Sequence, residues 1–106
     1  MTANVTKERR RAVYRRDGYA CALCDSTRGL QIHHCIPRSK GGSNSMHNLI
    51  TLCGTCHAQV HGDNLEPGGM TPQEIAHEVT VYLADEYAGE WWPWKEGYEP
   101  GRYGRR

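Results

Sequence analysis

Residues 21–61 decide the fold of this chain, and they read CALCDSTRGLQIHHCIPRSKGGSNSMHNLITLCGTCHAQVH. Two C-x-x-C pairs, Cys21/Cys24 and Cys53/Cys56, stand near the two ends of this stretch. Each pair can cover one side of a tetrahedral zinc ion, and four thiolates close such a site against substrate. In a reducing compartment, paired C-x-x-C motifs indicate metal ligands and not disulfides, so we predict a structural Zn²⁺ site.

The rest of the composition is consistent with a small fold that depends on a metal. The chain has 106 residues, 12 of them glycine and none phenylalanine, so its apolar core must be limited. The binding energy of a structural zinc ion, on the order of 10–16 kcal/mol in zinc peptides, would then be folding energy. We expect a single domain over residues 1–106, with its motif core at 21–61.

No targeting or membrane signal stands out. The N-terminus lacks an apolar stretch after its basic residues, which argues against a signal peptide. No segment approaches the roughly 20 apolar residues of a membrane span. We therefore expect a cytoplasmic protein without a membrane partner.

Short elements of both types are predicted. Thr6 can cap a helix that runs to about Arg16. Leu30–Ile36 has the composition of a strand that stops at Pro37, and Asn48–Leu52 forms a second strand. The second cysteine pair then turns the chain into a helix that carries His57 and His61.

A further helix is predicted at about residues 72–88. Thr71-Pro72-Gln73-Glu74 has the form of a capping box with proline at the first helical position. Apolar side chains then recur every four residues, which predicts that one face packs on the core. They are Ile75, Val79, Leu83 and Tyr87. The tail, residues 89–106, has no clear periodicity.

Four histidines form a candidate catalytic metal site. His57 and His61 are four apart on the predicted helix and therefore share a face. His33 and His34 are adjacent in a strand, where neighbours point to opposite faces, so the strand must bend or end if both serve one site. A third histidine from the strand would leave other metal positions open, as catalysis requires. Taken singly, each histidine is equally compatible with a polar surface position.

The charges are unevenly distributed along the chain. Residues 1–40 carry nine Lys/Arg against three acids, a net of +6, whereas residues 62–106 carry four against nine, a net of −5. A basic half suggests a polyanionic partner, although a solvated helix face would look the same.

The order of these features resembles the HNH endonucleases, which are His-Me finger, or ββα-metal, nucleases. The matching residues are His33-His34-Cys35-Ile36-Pro37-Arg38-Ser39-Lys40-Gly41-Gly42, then Asn48-Leu49-Ile50-Thr51-Leu52-Cys53-Gly54-Thr55-Cys56-His57, and His61. The resemblance covers residues 21–61 and extends to the approach at residues 16–19. It implies an α+β fold: a ββα-metal core with a Cys₄ zinc site, flanked by a basic N-terminal helix and a C-terminal helix.

The resemblance also implies roles for individual residues. His34 corresponds to the general base that activates water, and Asn48 corresponds to the asparagine that braces the loop and orients the base. His33, His57 and His61 correspond to ligands of one catalytic divalent metal, Mg²⁺, Mn²⁺, Ni²⁺ or Zn²⁺. Many members have an acid where this chain has His33, and three histidines favour a transition metal over Mg²⁺.

The implied function is metal-dependent hydrolysis of DNA phosphodiester bonds, by nicking or cleaving double-stranded DNA with weak sequence specificity. The candidate DNA-binding residues are Arg9, Arg10, Arg11, Arg15, Arg16, Arg38 and Lys40, with Arg38 also a candidate to hold the departing phosphate. Small members of this type resemble phage proteins encoded beside terminase genes, which implies genome packaging, terminase subunits as partners and the host cytoplasm as location. Two alternatives stay open: a zinc-ribbon DNA-binding adaptor without catalysis, and a nuclease directed at RNA.

Overall fold

The computed structural model describes residues 5–62 and 69–98, which form a two-stranded sheet and three helices. The elements, in chain order, are α1 Lys7–Arg16, β1 Gln31–His34, β2 Leu49–Leu52, α2 Gly54–Val60 and α3 Pro72–Glu86, with short 3-10 turns at Arg38–Lys40 and Met46–Asn48. The α+β class with a ββα core, predicted from the sequence, is confirmed. The predicted tail beyond Tyr98 lies outside the described residues.

An antiparallel hairpin forms the centre of the fold. Its register pairs Gln31 with Leu52 at one end and His34 with Leu49 at the other. All four residues of β2 are buried, whereas β1 is partly open to solvent. Both strands are shorter than predicted. In particular, Asn48 lies in the 3-10 turn before β2, because its side chain bonds the backbone across the loop.

α1 begins as predicted but does not display all its arginines. The Thr6 hydroxyl accepts a hydrogen bond from the Arg9 N–H at 3.0 Å, which caps the helix. Arg10, Arg11 and Arg15 are exposed on its surface. Val13, fully buried, is its main apolar contact with the core.

The assignment of Arg16 to the DNA-binding surface is corrected. Its side chain is only 9% exposed and pairs with Asp17, whose side chain is fully buried. Its guanidinium also donates to the carbonyl of Leu49 at 2.6 Å, to the carbonyl of Met46 and to the Tyr87 hydroxyl, both at 2.8 Å. The N–H groups of the guanidinium are therefore bonded within the protein and are not available to a phosphate. Arg16 instead connects α1 to β2 and α3.

α2 and α3 pack together against the hairpin. The apolar face of α3 is buried at Ile75, Val79 and Leu83. These side chains form one cluster with Ile50 and Leu52 of β2 and with Cys21, Cys53 and Cys56. The capping box at Thr71 and Glu74 forms in both directions. Within the described ranges, no helix has the length and apolar character needed to cross a bilayer.

Candidate functional site

The first site is a cluster of four cysteines. Cys21 and Cys24 lie in the turn that follows α1, Cys53 is the N-cap of α2, and Cys56 lies in its first turn. Their sulfur atoms all lie within 4.8 Å of one another, and the Sγ atoms of Cys24 and Cys53 are 3.7 Å apart. A tetrahedral zinc ion with Zn–S bonds of about 2.3 Å separates its sulfurs by about 3.8 Å. The four cysteines are therefore placed to bind a metal, and they fit a structural zinc ion.

The thiols of this cluster do not ionise equally. Burial alone would raise the pKa of Cys53, but the hydrogen bond from the backbone N–H of Cys56 and the neighbouring thiols bring it down to about 7. Burial and the nearby Cys21 raise the pKa of Cys56. Four thiolates at this spacing repel one another, so a dication is what makes full ionisation favourable.

The second site is a cluster of three histidines. Ligand atoms of His33, His57 and His61 lie within 4.8 Å of one another, and the Nε2 atoms of His57 and His61 are 3.2 Å apart. Metal–nitrogen bonds of about 2.0–2.1 Å place neighbouring nitrogens about 3.0–3.4 Å apart. The histidines therefore fit one divalent ion bound on three sides, and His61, exposed to solvent, lies at the open edge.

This cluster is assembled by the hairpin and α2. His33 is on β1, opposite Ile50 in the register, and α2 follows β2 after a tight turn. His57 is within α2, and His61 is its C-cap, so the two lie one turn apart on the same face. The sequence prediction of a shared face for this pair is confirmed.

The electrostatics keep His33 neutral. Burial, together with the neighbouring imidazoles of His57, His61 and His34, lowers the pKa of His33 to about 3. Burial and His61 also lower the pKa of His57. Because a histidine binds metal only as the neutral imidazole, these shifts favour binding at neutral pH.

His34 does not join the three-histidine cluster. It follows His33 at the end of β1, and its Nε2 lies 2.7 Å from the amide oxygen of Asn44. Asn44 belongs to the loop of residues 41–47, which we call the active-site loop. Asn44 is not among the site residues predicted from the sequence, because one asparagine in a Gly/Ser-rich loop carries no signal for a contact with a strand.

Asn48 braces this region from within. It is fully buried, and its side chain bonds the N–H and the carbonyl of Ile36 and the carbonyl of Ser43. Gly42 fits tightly beside it, because a Cβ there would collide with the carbonyl oxygen of Ile36. No described hydrogen bond joins the side chain of Asn48 to His34, so any effect on that imidazole must pass through the backbone of the loop.

The basic candidates fall into different environments. Lys40 is exposed, like the three arginines on the surface of α1. Arg9 is half-buried and donates to the backbone oxygen of Asn44 at 3.1 Å. Arg38 is half-buried, and its Nε atom has no hydrogen-bond partner among the described residues.

Comparisons with known proteins identify the family of the chain. The model of the family described as HNH endonuclease matches residues 21–63. A protein named anaredoxin, from Nostoc sp., is 37% identical over 51 residues, which cover 47% of this chain and 67% of that protein. This chain belongs to the HNH endonuclease family. A nuclease or DNA-binding role follows from that membership.

A second relative of this HNH family member is the type IV methyl-directed restriction enzyme EcoKMcrA of Escherichia coli strain K12. It is 41% identical over 39 residues, which are 37% of this chain but 14% of the enzyme. The similarity therefore concerns one small part of EcoKMcrA. No solved structure gives a significant match.

Proposed function

We propose that this chain is a metal-dependent endonuclease that hydrolyses phosphodiester bonds of double-stranded DNA, with His34 as the general base. The observation that carries the proposal is the three-histidine cluster of His33, His57 and His61, with its ligand atoms within 4.8 Å and His34 next along the strand. A zinc-ribbon adaptor needs the four cysteines but has no use for a second, open cluster of neutral ligands.

Each histidine has a separate task in this mechanism. His33, His57 and His61 would hold a divalent cation, which when bound neutralises charge on the scissile phosphate and on the leaving 3′ oxygen. His34 takes the proton from the attacking water, since imidazole is the side chain suited to this at neutral pH. In-line attack at phosphorus then leaves a 5′-phosphate and a 3′-hydroxyl.

The basic side chains would bind the DNA backbone. Arg10, Arg11 and Arg15 lie exposed on α1 and can contact phosphates without reading bases. Arg38 is proposed to hold the phosphate at the cleavage site. Its buried Nε–H has no hydrogen-bond acceptor among the described residues. Within residues 5–62 and 69–98, no exposed element is an obvious reader of base edges, so we expect weak sequence specificity. A packaging role beside terminase subunits stays a prediction from the sequence resemblance alone.

The decisive experiment measures nicking of a supercoiled plasmid by the zinc-loaded protein with added Mg²⁺, Mn²⁺, Ni²⁺ or Zn²⁺. His34→Ala should retain zinc, bind the second metal and bind DNA, yet cleave about 10²–10⁴ times more slowly, as expected for loss of a general base. His77→Ala is the matched control, because His77 is exposed on α3.

The metal ligands should behave differently from the base. His57→Ala should weaken binding of the second metal in a calorimetric titration, and excess metal should partly restore cleavage. A wild-type protein that binds DNA but nicks none with any of the four metals would support the adaptor. Faster digestion of RNA than of DNA would redirect the substrate assignment.

A further inference from the structure

The side chain of Asn44 contacts one of the two ring nitrogens of His34. Its amide oxygen lies 2.7 Å from Nε2 of His34, and an amide oxygen can only accept a hydrogen bond. A neutral imidazole has one protonated nitrogen, so the donor here is Nε2–H. The lone pair, and with it the ability to take a proton, is therefore on Nδ1.

We propose that Asn44 is the positioning residue of His34, which selects the Nε2–H tautomer, and that residues 91–98 hold Asn44 in place. We call residues 91–98 the C-terminal clamp. The proposal rests on the proposed role of His34 as general base. The clamp lies outside residues 21–63, the stretch that the family matches.

The clamp pairs with the first half of the active-site loop as a short piece of sheet. Gly42 and Trp94 form an isolated antiparallel bridge. The N–H of Ser43 donates to the carbonyl of Pro93 at 2.9 Å, and the N–H of Lys95 donates to the carbonyl of Gly41 at 2.7 Å. Asn44 is the next residue in the loop, so its backbone position follows from this pairing.

The clamp also holds the far end of the loop, at His47. The indole N–H of Trp91 donates to the carbonyl of His47 at 2.7 Å, and the backbone N–H of Trp92 donates to Nδ1 of His47 at 2.9 Å. The ring of Tyr87 packs against His47 with centroids 4.0 Å apart. His47 is thus a structural residue of the loop.

The fit between clamp and loop leaves little room for movement. Gly41 has φ +96°, and a Cβ on it would lie 2.6 Å from the ring of Tyr98. That ring stacks on Trp94 with centroids 5.0 Å apart. Arg9 of α1 also donates to the backbone oxygen of Asn44 at 3.1 Å. Asn44 therefore lies in a segment that is held by the clamp and by α1, as a residue that orients a catalytic base must be.

The tautomer can be read without any activity. In a two-bond ¹H–¹⁵N spectrum, the protonated and unprotonated nitrogens of a neutral imidazole resonate far apart, so each tautomer of His34 is directly visible. The zinc-loaded wild type should show Nε2–H alone. Asn44→Ala should show a mixture, whereas Asn44→Asp, which keeps an acceptor oxygen, should retain Nε2–H. An unchanged tautomer in Asn44→Ala would overturn the proposal.

Cleavage kinetics test the same contact by an independent route. Asn44→Ala should lower kcat about tenfold or more, but less than the roughly 10²–10⁴ expected on removal of the base itself, and KM for plasmid should not change. A rise in KM with kcat unchanged would assign Asn44 to DNA binding and contradict the proposal. If the wild type nicks no DNA, the proposed function fails, while the spectrum still decides whether Asn44 selects the tautomer.

A pair of matched tryptophan variants tests the clamp. Trp91→Phe removes the indole N–H that bonds His47 but keeps a ring, whereas Trp92→Phe changes a side chain that is 52% exposed and keeps the backbone N–H. Trp91→Phe should lower kcat in the same sense as Asn44→Ala, by a smaller factor, and mix the His34 tautomers. Trp92→Phe should match the wild type. Equal behaviour of the two variants would overturn the role of the clamp.

Discussion

Asn48 satisfies both backbone polar groups of Ile36, accepting from its N–H at 2.7 Å and donating to its carbonyl at 3.0 Å. A third bond, to the carbonyl of Ser43 at 2.8 Å, joins the start and the middle of the loop after β1. One buried amide thus replaces the strand ladder that ends at His34. Asn48 is therefore a brace for the loop backbone in this structure.

Replacing Asn48 should therefore cost stability as well as activity. Asn48→Ala removes three buried hydrogen bonds, at roughly 1 kcal/mol each, so we expect the free energy of unfolding to fall by about 2–4 kcal/mol. Asn48→Asp keeps the acceptor for Ile36 but loses the donors, and should be at least as damaging. Chemical denaturation measures both, with exposed Ser39→Ala as the control. A change below about 0.5 kcal/mol in Asn48→Ala would show that the brace is not needed.

Arg15 and Arg16 are neighbours in α1, but replacing Arg16 should lower stability strongly whereas replacing Arg15 should hardly change it. Arg16→Ala leaves the buried carboxylate of Asp17 without its charged partner, which typically costs about 3–5 kcal/mol of unfolding free energy. Arg16→Lys keeps the charge but not the planar fork, so it should rescue only in part. Exposed Arg15→Ala should stay within about 0.5 kcal/mol of the wild type. Similar losses of stability for Arg15→Ala and Arg16→Ala would contradict the assignment of Arg16 to the core.

The four-cysteine site predicts a protein that folds only with zinc. Cys53→Ser should abolish tightly bound zinc and the cooperative unfolding transition, because the short strands bury too little to fold alone. Cys35→Ser is the control, since Cys35 contacts Thr80, at 3.6 Å, and is not part of the cluster. Elemental analysis and circular dichroism report the two properties. A folded, zinc-free Cys53→Ser protein would remove the structural role of the metal.

The sequence predicts the features that depend on local spacing. The spacing within a C-x-x-C pair, and that of two histidines one helical turn apart, places the side chains near each other whatever the rest of the fold. In the structure the four cysteines form one cluster, and the two histidines form another with His33. The capping box before α3 is equally local, and it forms at the predicted residues.

Long-range contacts explain what the sequence did not predict. Arg16 is one of several arginines in a basic run, and nothing local distinguishes it from Arg15. Its inward position depends on Asp17, and on Tyr87 seventy-one residues away. The clamp has no periodicity of its own, and its sheet-like pairing is with the distant active-site loop. A loop whose conformation depends on distant residues has no recognisable pattern in its own sequence.

The exposed arginines of α1 should supply salt-dependent binding to DNA. Replacing Arg10, Arg11 and Arg15 together with glutamine should weaken binding equally for unrelated duplex sequences. It should also reduce the slope of log K against log salt by about 0.9 for each phosphate that the variant no longer neutralises. Replacing exposed Arg28, which lies outside α1, is the control. An unchanged slope in the triple variant would assign these arginines to a solvated face.

His33 should make the stability of the protein depend on pH when no second metal is added. Its folded-state pKa is about 3, whereas an unfolded histidine has a pKa of about 6.5, so the unfolded chain binds the proton first on acidification. The contribution of His33 to stability is therefore complete above pH about 6.5 and is lost progressively as the pH falls toward 3. Between these values the slope approaches about 1.4 kcal/mol per pH unit.

This slope can be isolated by comparing variants. From pH 7 to 5, the free energy of unfolding should fall less steeply in His33→Gln than in the wild type, because glutamine takes up no proton. His77→Gln, changed at an exposed position on α3, should keep the wild-type slope, and the acid sensitivity of the zinc site cancels because all three proteins share it. If the free energy of unfolding depends on pH equally in His33→Gln and the wild type, burial does not keep His33 neutral. The neutral state that metal binding requires would then need another explanation.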